Sequence, residues 1–245
     1  MLTILYRDPH LIAIDKPARL LVHRSDIDRH ETRFAVQMLR DQIGQRVQPV
    51  HRLDRGTSGV LLFALDAQAN RALSAQFERN EVHKRYLAVV RGWPQESGSI
   101  NHPLSRQYDD YGAPLRNQEP QDARTDYHRL ACVELPIEVD RYPSARYALL
   151  ALTPLTGRRH QLRRHMKHIA HPIVGDATHG KGVHNRFFKQ QFGCDRMLLA
   201  CTELEFRHPL CGELLRLQAP LGDQFATVIE RLGWVGDALL HRQSS

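Results

Sequence analysis

The chain has few cysteines and no long apolar run, and each shortage excludes a class of protein. Its four cysteines (Cys132, Cys194, Cys201 and Cys211) form no C-x-x-C pair and follow no regular spacing. This pattern argues against a disulfide framework and predicts reduced, mostly buried thiols. No stretch approaches the roughly 20 apolar residues of a membrane span, and the first residues lack the apolar core of a signal peptide. We therefore expect a cytoplasmic protein without a membrane partner.

Lysine is also scarce, although the chain is basic. Only five of its 34 basic residues are lysines, and the excess over 27 acidic residues gives a net charge of +7 and a pI near 9.5. Arginine supplies almost all of this charge, and its planar guanidinium suits phosphate groups and base edges. Compositional bias of the source genome explains the same numbers equally well at this point.

The hydrophobic pattern predicts short strands joined by turns, with a few helices between them. The 245 residues fit one domain. Strands are predicted at 4–6, 11–14, 60–64, 86–91, 130–134, 147–152, 198–206 and 214–218, and helices at 31–43, 68–79, 158–169 and 223–232. Residues 96–124 are predicted to form loops or a hairpin, and residues 180–193 a loop. Because strands outnumber helices and sit close together in sequence, the expected class is α+β, with a mixed, mainly antiparallel sheet and flanking helices.

A carboxylate between arginines is the first candidate for chemistry. Residues 51–59 read HRLDRGTSG and place Asp54 between Arg52 and Arg55 on a loop that enters an apolar strand. Neighbouring guanidinium groups favour the ionised carboxylate that a nucleophile requires. A surface turn with ion pairs explains this loop, taken alone, at least as well. Ser58 lacks the G-x-S-x-G spacing of a hydrolase nucleophile.

A basic helix is the second candidate. Residues 156–168 read TGRRHQLRRHMKH, with no acidic residue. Leu162, Met166 and Ile169 share an inward face, whereas Arg159, Arg163 and Lys167 form a neighbouring stripe. Such a density of charge indicates a bound polyanion, and a solvated basic face is the alternative.

Histidines and one tyrosine raise further possibilities. His165, His168 and His171 fan around the helix instead of converging, and there is no H-E-x-x-H pattern, which argues against a metal site. Tyr86 follows Lys84 and Arg85, and these cations could lower the pKa of its phenol for proton transfer, or the ring could stack on a base. Tyr86 could equally be a core residue with a wet hydroxyl.

Together these segments resemble the RluA family of pseudouridine synthases. Residues 51–59 are similar to the family's H-R-L-D-x-x-T-S-G motif, residues 14–17 with 21–23 to its first motif, and residues 84–86 to K-x-Y. Residues 156–163, with HPIVGD at 171–176, resemble its T-G-R-x-H-Q-x-R and H-P-I-x-G-D motifs. Four motifs in the family's order are specific, although each alone is weak. Within the family, the closest resemblance is to members that modify uridine 65 of bacterial tRNA. It lies in residues 22–25 with 28–29, in residues 134–136 with 141–143, and in the doubled arginine of 163–165.

The resemblance implies the site as well as the fold. It implies a single catalytic domain over 1–245, with no N-terminal S4-type module and an RNA-binding cleft across the sheet. Asp54 would be the nucleophile, Tyr86 would stack or move a proton, and Arg163 would pair with Asp54. The residues expected to bind RNA are Arg52, Arg55, Arg158, Arg159, Arg164 and Lys167. No cofactor or metal is expected, the partner is tRNA, and the protein is expected to be a monomer. A synthase acting on ribosomal RNA, an RNA-binding protein without catalysis and a metal-dependent hydrolase stay open as alternatives.

Overall fold

The computed structural model describes residues 1–23, 32–105 and 118–234. Within these ranges, ten strands form a single sheet: β1 (Thr3–Arg7), β2 (Leu11–Lys16), β3 (Gln48–Pro49), β4 (Ser58–Ala64), β5 (His83–Arg91), β6 (Ser97–Asn101), β7 (Arg124–Leu135), β8 (Ala145–Pro154), β9 (Leu199–Arg207) and β10 (Leu214–Gln218). The same described residues contain five helices: α1 (Ala35–Ile43), α2 (Ala67–Glu78), α3 (Gln161–His168), α4 (Gly182–Phe192) and α5 (Asp223–Arg231).

The sheet is mixed and mainly antiparallel, which confirms the predicted class. Its main path runs β1-β2-β4-β9-β5-β8-β7-β6, with β3 on β4 and β10 on β9. Of the strand pairs in the described residues, β4 with β9 is parallel and the others are antiparallel.

Two apolar clusters lie on opposite faces of this sheet. Along β5, Tyr86, Ala88 and Val90 belong to one cluster, whereas Leu87 and Val89 belong to the other, as the two-residue period of a strand requires. Helices α1, α2 and α3 bury apolar residues in the first cluster, and α4 and α5 do so in the second. Helices therefore cover both faces, and the centre of the sheet is enclosed.

The prediction of a loop at 180–193 was wrong, because α4 occupies most of it. His184, Phe188 and Phe192 recur every four residues and are buried, so they form one apolar stripe of a helix. Polar residues around this stripe and glycines at both ends obscured the periodicity. Gly193 ends the helix with a φ of 67°, a conformation that glycine adopts without steric cost.

The other differences concern boundaries and two cysteines. Helix α1 begins at Ala35 and α3 at Gln161, each a few residues after the predicted start. Cys194 and Cys201 are buried, whereas Cys132 and Cys211 are exposed, so burial holds for half of the thiols. Within 96–124, β6 pairs with β7. Residues 24–31, which include 24–25 and 28–29 of the subgroup pattern, and residues 106–117 lie outside the described ranges.

Candidate active site

The loop that carries Asp54 connects β3 with β4. The Thr57 backbone N–H donates to the Asp54 carbonyl oxygen at 3.0 Å and closes a tight turn. Leu53 is buried, whereas the Asp54 side chain keeps 19% of its surface exposed. One side chain of the loop thus enters the core, and the adjacent carboxylate stays accessible. This arrangement fixes a reactive group on a rigid base.

Gly59 allows the strand after this loop to enter the sheet. Its φ is 109°, and a Cβ atom at this position would lie 2.0 Å from the carbonyl oxygen of Cys201. No other residue fits so close an approach. Gly59 pairs with Cys201 in the parallel contact between β4 and β9, so this glycine brings the Asp54 loop next to the central strands.

His51, at the start of the same motif, is a structural residue. Its Nε2 accepts a hydrogen bond from the Leu62 backbone N–H at 3.0 Å, and its ring stacks on Phe77 at 4.7 Å between centroids. Burial, with Lys84 nearby, lowers the pKa of His51 to about 3. The imidazole is therefore neutral at physiological pH, as an acceptor nitrogen must be.

Arg163 contacts the candidate nucleophile, as the sequence predicted. Its Nη1 donates to Asp54 Oδ2 at 3.1 Å, while Nε and Nη2 donate to the two carboxylate oxygens of Asp176 at 2.7 and 2.8 Å. Asp176 is 1% exposed. Burial alone would raise the pKa of Asp176, but its hydrogen bonds with Arg163 and the charge of that residue outweigh burial and lower it. Asp176 thus anchors the guanidinium that faces Asp54.

His160 lies on the other side of the Asp54 carboxylate, which the sequence did not predict. Its Nε2 is 3.8 Å from Asp54 Oδ1, and its Nδ1 is 3.2 Å from His179 Nε2. Burial lowers the pKa of His160 to about 4, although Asp54 acts in the opposite direction. The ring is therefore neutral near pH 7. The position of His160 in the T-G-R-x-H-Q-x-R pattern, one turn before Arg163, was the available signal.

Tyr86 lies close to the same carboxylate, and of the alternatives that the sequence left open, the structure agrees with a buried residue and not with a lowered pKa. It pairs with Cys201 across β5 and β9, one strand from Gly59, and it is 9% exposed. Burial raises the pKa of Tyr86 well above its ordinary value, and Cys201 and Asp54 shift it in the same direction. The phenol is thus a neutral group that can donate a hydrogen bond or offer a ring face.

Lys16 was not predicted as a site residue, yet it lies buried behind the Asp54 loop. It is 0% exposed, and its Nζ donates to the carbonyl oxygens of Pro17 and Leu20 at 2.9 and 2.7 Å, with that of Arg55 at 3.5 Å. Burial lowers the pKa of Lys16 to about 7, against the attraction of Asp54. A lysine at the end of a strand with four consecutive buried apolar residues was the signal for this position.

The six residues predicted to bind RNA are all at least partly exposed. Arg52, Arg55, Arg158 and Lys167 are exposed, and Arg159 and Arg164 are half-buried. Two of them also form hydrogen bonds within the protein. Arg164 Nη1 donates to the Ser105 carbonyl oxygen at 2.9 Å, and Arg158 Nε donates to the Asp122 carbonyl oxygen at 3.0 Å. Their role in binding RNA stays a prediction.

The histidines of α3 make contacts within the protein. His165 Nδ1 is 2.9 Å from Thr125 Oγ1 and its Nε2 is 3.0 Å from the His102 carbonyl oxygen. His168 stacks on His102 with 3.7 Å between ring centroids. Within the ranges that the structure describes, no group of three or more His, Cys, Asp or Glu residues could hold a metal ion, and no helix there is long and apolar enough to cross a membrane.

Comparison with known proteins identifies the family of this chain. A family model described as RNA pseudouridylate synthase matches residues 10–168, a span that carries Asp54, Tyr86 and Arg163. The chain therefore belongs to the RNA pseudouridylate synthase family.

Individual relatives agree over nearly the whole chain. It is 47% identical over 243 residues to the tRNA pseudouridine synthase C of Vibrio cholerae serotype O1, covering 98% of this chain and 100% of that protein. It is 48% identical over 240 residues to the tRNA pseudouridine synthase C of Yersinia pestis, covering 97% and 93%. The structure is similar to human RNA pseudouridylate synthase domain containing 1, with a TM-score of 0.68, 27% identity and coverage of 90% and 83%.

Proposed function

We propose that this protein converts uridine 65 of tRNA to pseudouridine, with Asp54 as the nucleophile. Relatives named tRNA pseudouridine synthase C that cover the whole chain support tRNA as the substrate. The observation that carries the role of Asp54 is its contact with Arg163, which is itself fixed by buried Asp176. The proposal includes a monomer made of one catalytic domain, in the cytoplasm, where tRNA is modified.

The reaction requires a nucleophile and access of the target nucleotide to that nucleophile. The Asp54 carboxylate attacks the bound nucleotide, the N-glycosidic bond breaks, and the uracil turns so that its C5 bonds to C1′ of the ribose. The bond between Asp54 and the nucleotide breaks as well, which restores the free carboxylate. The hydrogen on C5 then leaves as a proton and N1 of the uracil gains one, so the change is an isomerisation that consumes no cofactor. A base inside a helix must first leave the stack. Arg52, Arg55, Arg158, Arg159, Arg164 and Lys167 supply the charge that draws the phosphate backbone to the site.

The surroundings of Asp54 favour this role over that of a general acid. Arg163 donates to one carboxylate oxygen, and a guanidinium cannot accept a proton from a protonated carboxyl group. A cation beside a carboxylate favours the ionised form. Tyr86, kept neutral by burial, can stack on the base or donate to it.

Asp54→Asn tests the nucleophile, because it preserves shape and removes the charge. Purified protein is mixed with tRNA transcript that carries C5-tritiated uridine, and released tritium is counted. We expect no turnover by Asp54→Asn and unchanged tRNA affinity. Asp41→Asn, at an exposed surface pair with Arg40, serves as the matched control and keeps full turnover. Turnover by Asp54→Asn would contradict the proposed mechanism.

A second measurement tests the substrate. A tRNA transcript with cytidine at position 65 should release no tritium, and a strain lacking the gene should lose one pseudouridine in tRNA when its total RNA is mapped. Loss of a ribosomal site with tRNA unchanged would instead identify ribosomal RNA as the substrate.

A further inference from the structure

His160 has a left-handed backbone conformation beside the Asp54 carboxylate. Its φ is 55° in the left-handed region, immediately before α3, and its side chain makes no capping hydrogen bond to the helix. Glycine adopts this conformation most readily, and among other residues asparagine, aspartate and histidine are enriched in it. Strain that persists at a functional site indicates that the side chain has a role there.

The tautomer of His160 follows from its neighbours. His160 and His179 are both kept mainly neutral by burial, so in their 3.2 Å contact one ring nitrogen donates and the other accepts. If His160 Nδ1 donated, the lone pair of its Nε2 would face the Asp54 carboxylate and be repelled. The favourable arrangement has His179 Nε2–H donating to His160 Nδ1, which leaves His160 Nε2–H directed at Asp54 Oδ1.

Buried Asp176 organises both sides of the nucleophile. Its Oδ1 accepts from the backbone N–H groups of Thr178 and His179 at 2.9 Å each, which fixes the backbone of His179 behind His160. The same carboxylate binds Arg163 through two hydrogen bonds. One buried residue therefore supports the donor on Oδ2 and the donor directed at Oδ1.

We propose that His160, supported by His179, is a positioning residue that holds Oδ1 of Asp54 while Arg163 holds Oδ2. This inference rests on the proposed function, in which Asp54 is the nucleophile. The distance of 3.8 Å is longer than a hydrogen bond, and catalytic contacts of this kind tighten when substrate binds. A carboxylate held at both oxygens is aligned for attack, whereas one held at a single oxygen can rotate.

Three substitutions separate this role from a structural one. His160→Gly removes the ring and suits the positive φ, so it should fold normally. His160→Gln restores an N–H at the reach of Nε2, and His160→Asn tolerates the backbone but is too short to reach Asp54. Turnover and KM are measured with tRNA alongside His168→Ala, a control on the same helix whose ring stacks on His102.

We expect His160→Gly to lower kcat about tenfold and to leave KM within twofold of wild type. This loss of kcat is smaller than the roughly 10²–10³-fold loss on removal of an oxyanion-hole donor. His160→Gln should recover most of this loss, whereas His160→Asn should not. A His160→Gly variant with wild-type kcat, or equal losses of kcat for His160→Gln and His160→Gly, would overturn the inference.

Asp54→Asn in the same series distinguishes the two proposals. If it is inactive while His160→Gly is fully active, only the positioning role fails; if it is active, the nucleophile proposal fails.

Discussion

Asp176→Asn would test the anchor of the active site most directly. Asp176 is 1% exposed, and the Arg163 side chain beside it is 10% exposed. The asparagine keeps the shape but removes the negative charge and one of the two acceptors for Arg163. Removing one partner of a buried ion pair costs about 3–5 kcal/mol, because the other charge is left uncompensated. Arg163 keeps its contact with Asp54 at 3.1 Å, so we expect the lower end, about 3 kcal/mol.

That free energy corresponds to a measurable loss of thermal stability. For a chain of this length, about 3 kcal/mol lowers Tm by about 6–12 °C, which urea unfolding and a thermal scan would both detect. Turnover should fall further than stability alone explains, because a misplacement of about 1 Å near the reacting atoms can cost about 100-fold in rate. The assay is tritium release from tRNA well below Tm.

Glu81→Gln is the matched control. Arg79 donates to both carboxylate oxygens of Glu81 at 2.6 and 2.9 Å, the same bidentate geometry as Arg163 with Asp176, but on the surface. Solvent screens this exposed pair, so its loss should leave the unfolding midpoint and the rate unchanged. Equal, small effects of Asp176→Asn and Glu81→Gln would refute the idea that Asp176 anchors the site.

Further substitutions probe other parts of the site. Lys16→Met should alter how the free energy of unfolding depends on pH. The pKa of Lys16 in the folded protein is near 7, below the unfolded value of about 10.4, so the free energy of unfolding of the wild type rises by up to about 1.4 kcal/mol per pH unit between these values. Urea titrations at several pH values should show that the variant lacks this rise. Gly59→Ala should prevent soluble expression or lower Tm strongly, because its Cβ would collide with the Cys201 carbonyl oxygen at 2.0 Å; normal melting would refute the backbone contact. Arg163→Lys keeps the charge but loses the planar fork, and should reduce kcat at least tenfold with tRNA affinity within twofold, as measured by filter binding. A loss confined to affinity would make Arg163 a phosphate contact instead.

The sequence predicted which residues of the candidate site lie together better than it predicted their physical state. The order of motifs brought Asp54, Tyr86 and Arg163 together, and the structure confirms the predicted contact between Asp54 and Arg163. For Tyr86 the sequence left both a lowered pKa and a core position open, since it shows the cationic neighbours Lys84 and Arg85 but not the burial of the phenol. Successive residues of a strand point to opposite faces, so adjacency along β5 says little about what surrounds the phenol.

Contacts between distant segments were the part that the sequence could not supply. Asp176 stood in a glycine-aspartate turn that looked ordinary, and its importance comes from meeting Arg163, 13 positions earlier, in the core. Lys16 and Asp54 are likewise brought together by the pairing of β2 with β4. The missed helix α4 is different, because the spacing of His184, Phe188 and Phe192 was visible and was outweighed by the polar residues between them.

The arrangement of α3 changes how its basic charge should be interpreted. The sequence predicted a stripe of Arg159, Arg163 and Lys167 on one side, but Arg163 is buried and bound to two carboxylates, whereas Lys167 is exposed. A charge already paired in the free protein gains less from a phosphate than an exposed one. Arg163→Lys and Lys167→Ala should therefore respond differently to salt. Lys167→Ala should weaken tRNA binding, and the slope of log affinity against log salt concentration should become shallower by up to about 1. Arg163→Lys should leave that slope unchanged. Equal slopes for Lys167→Ala and wild type would remove Lys167 from the RNA interface.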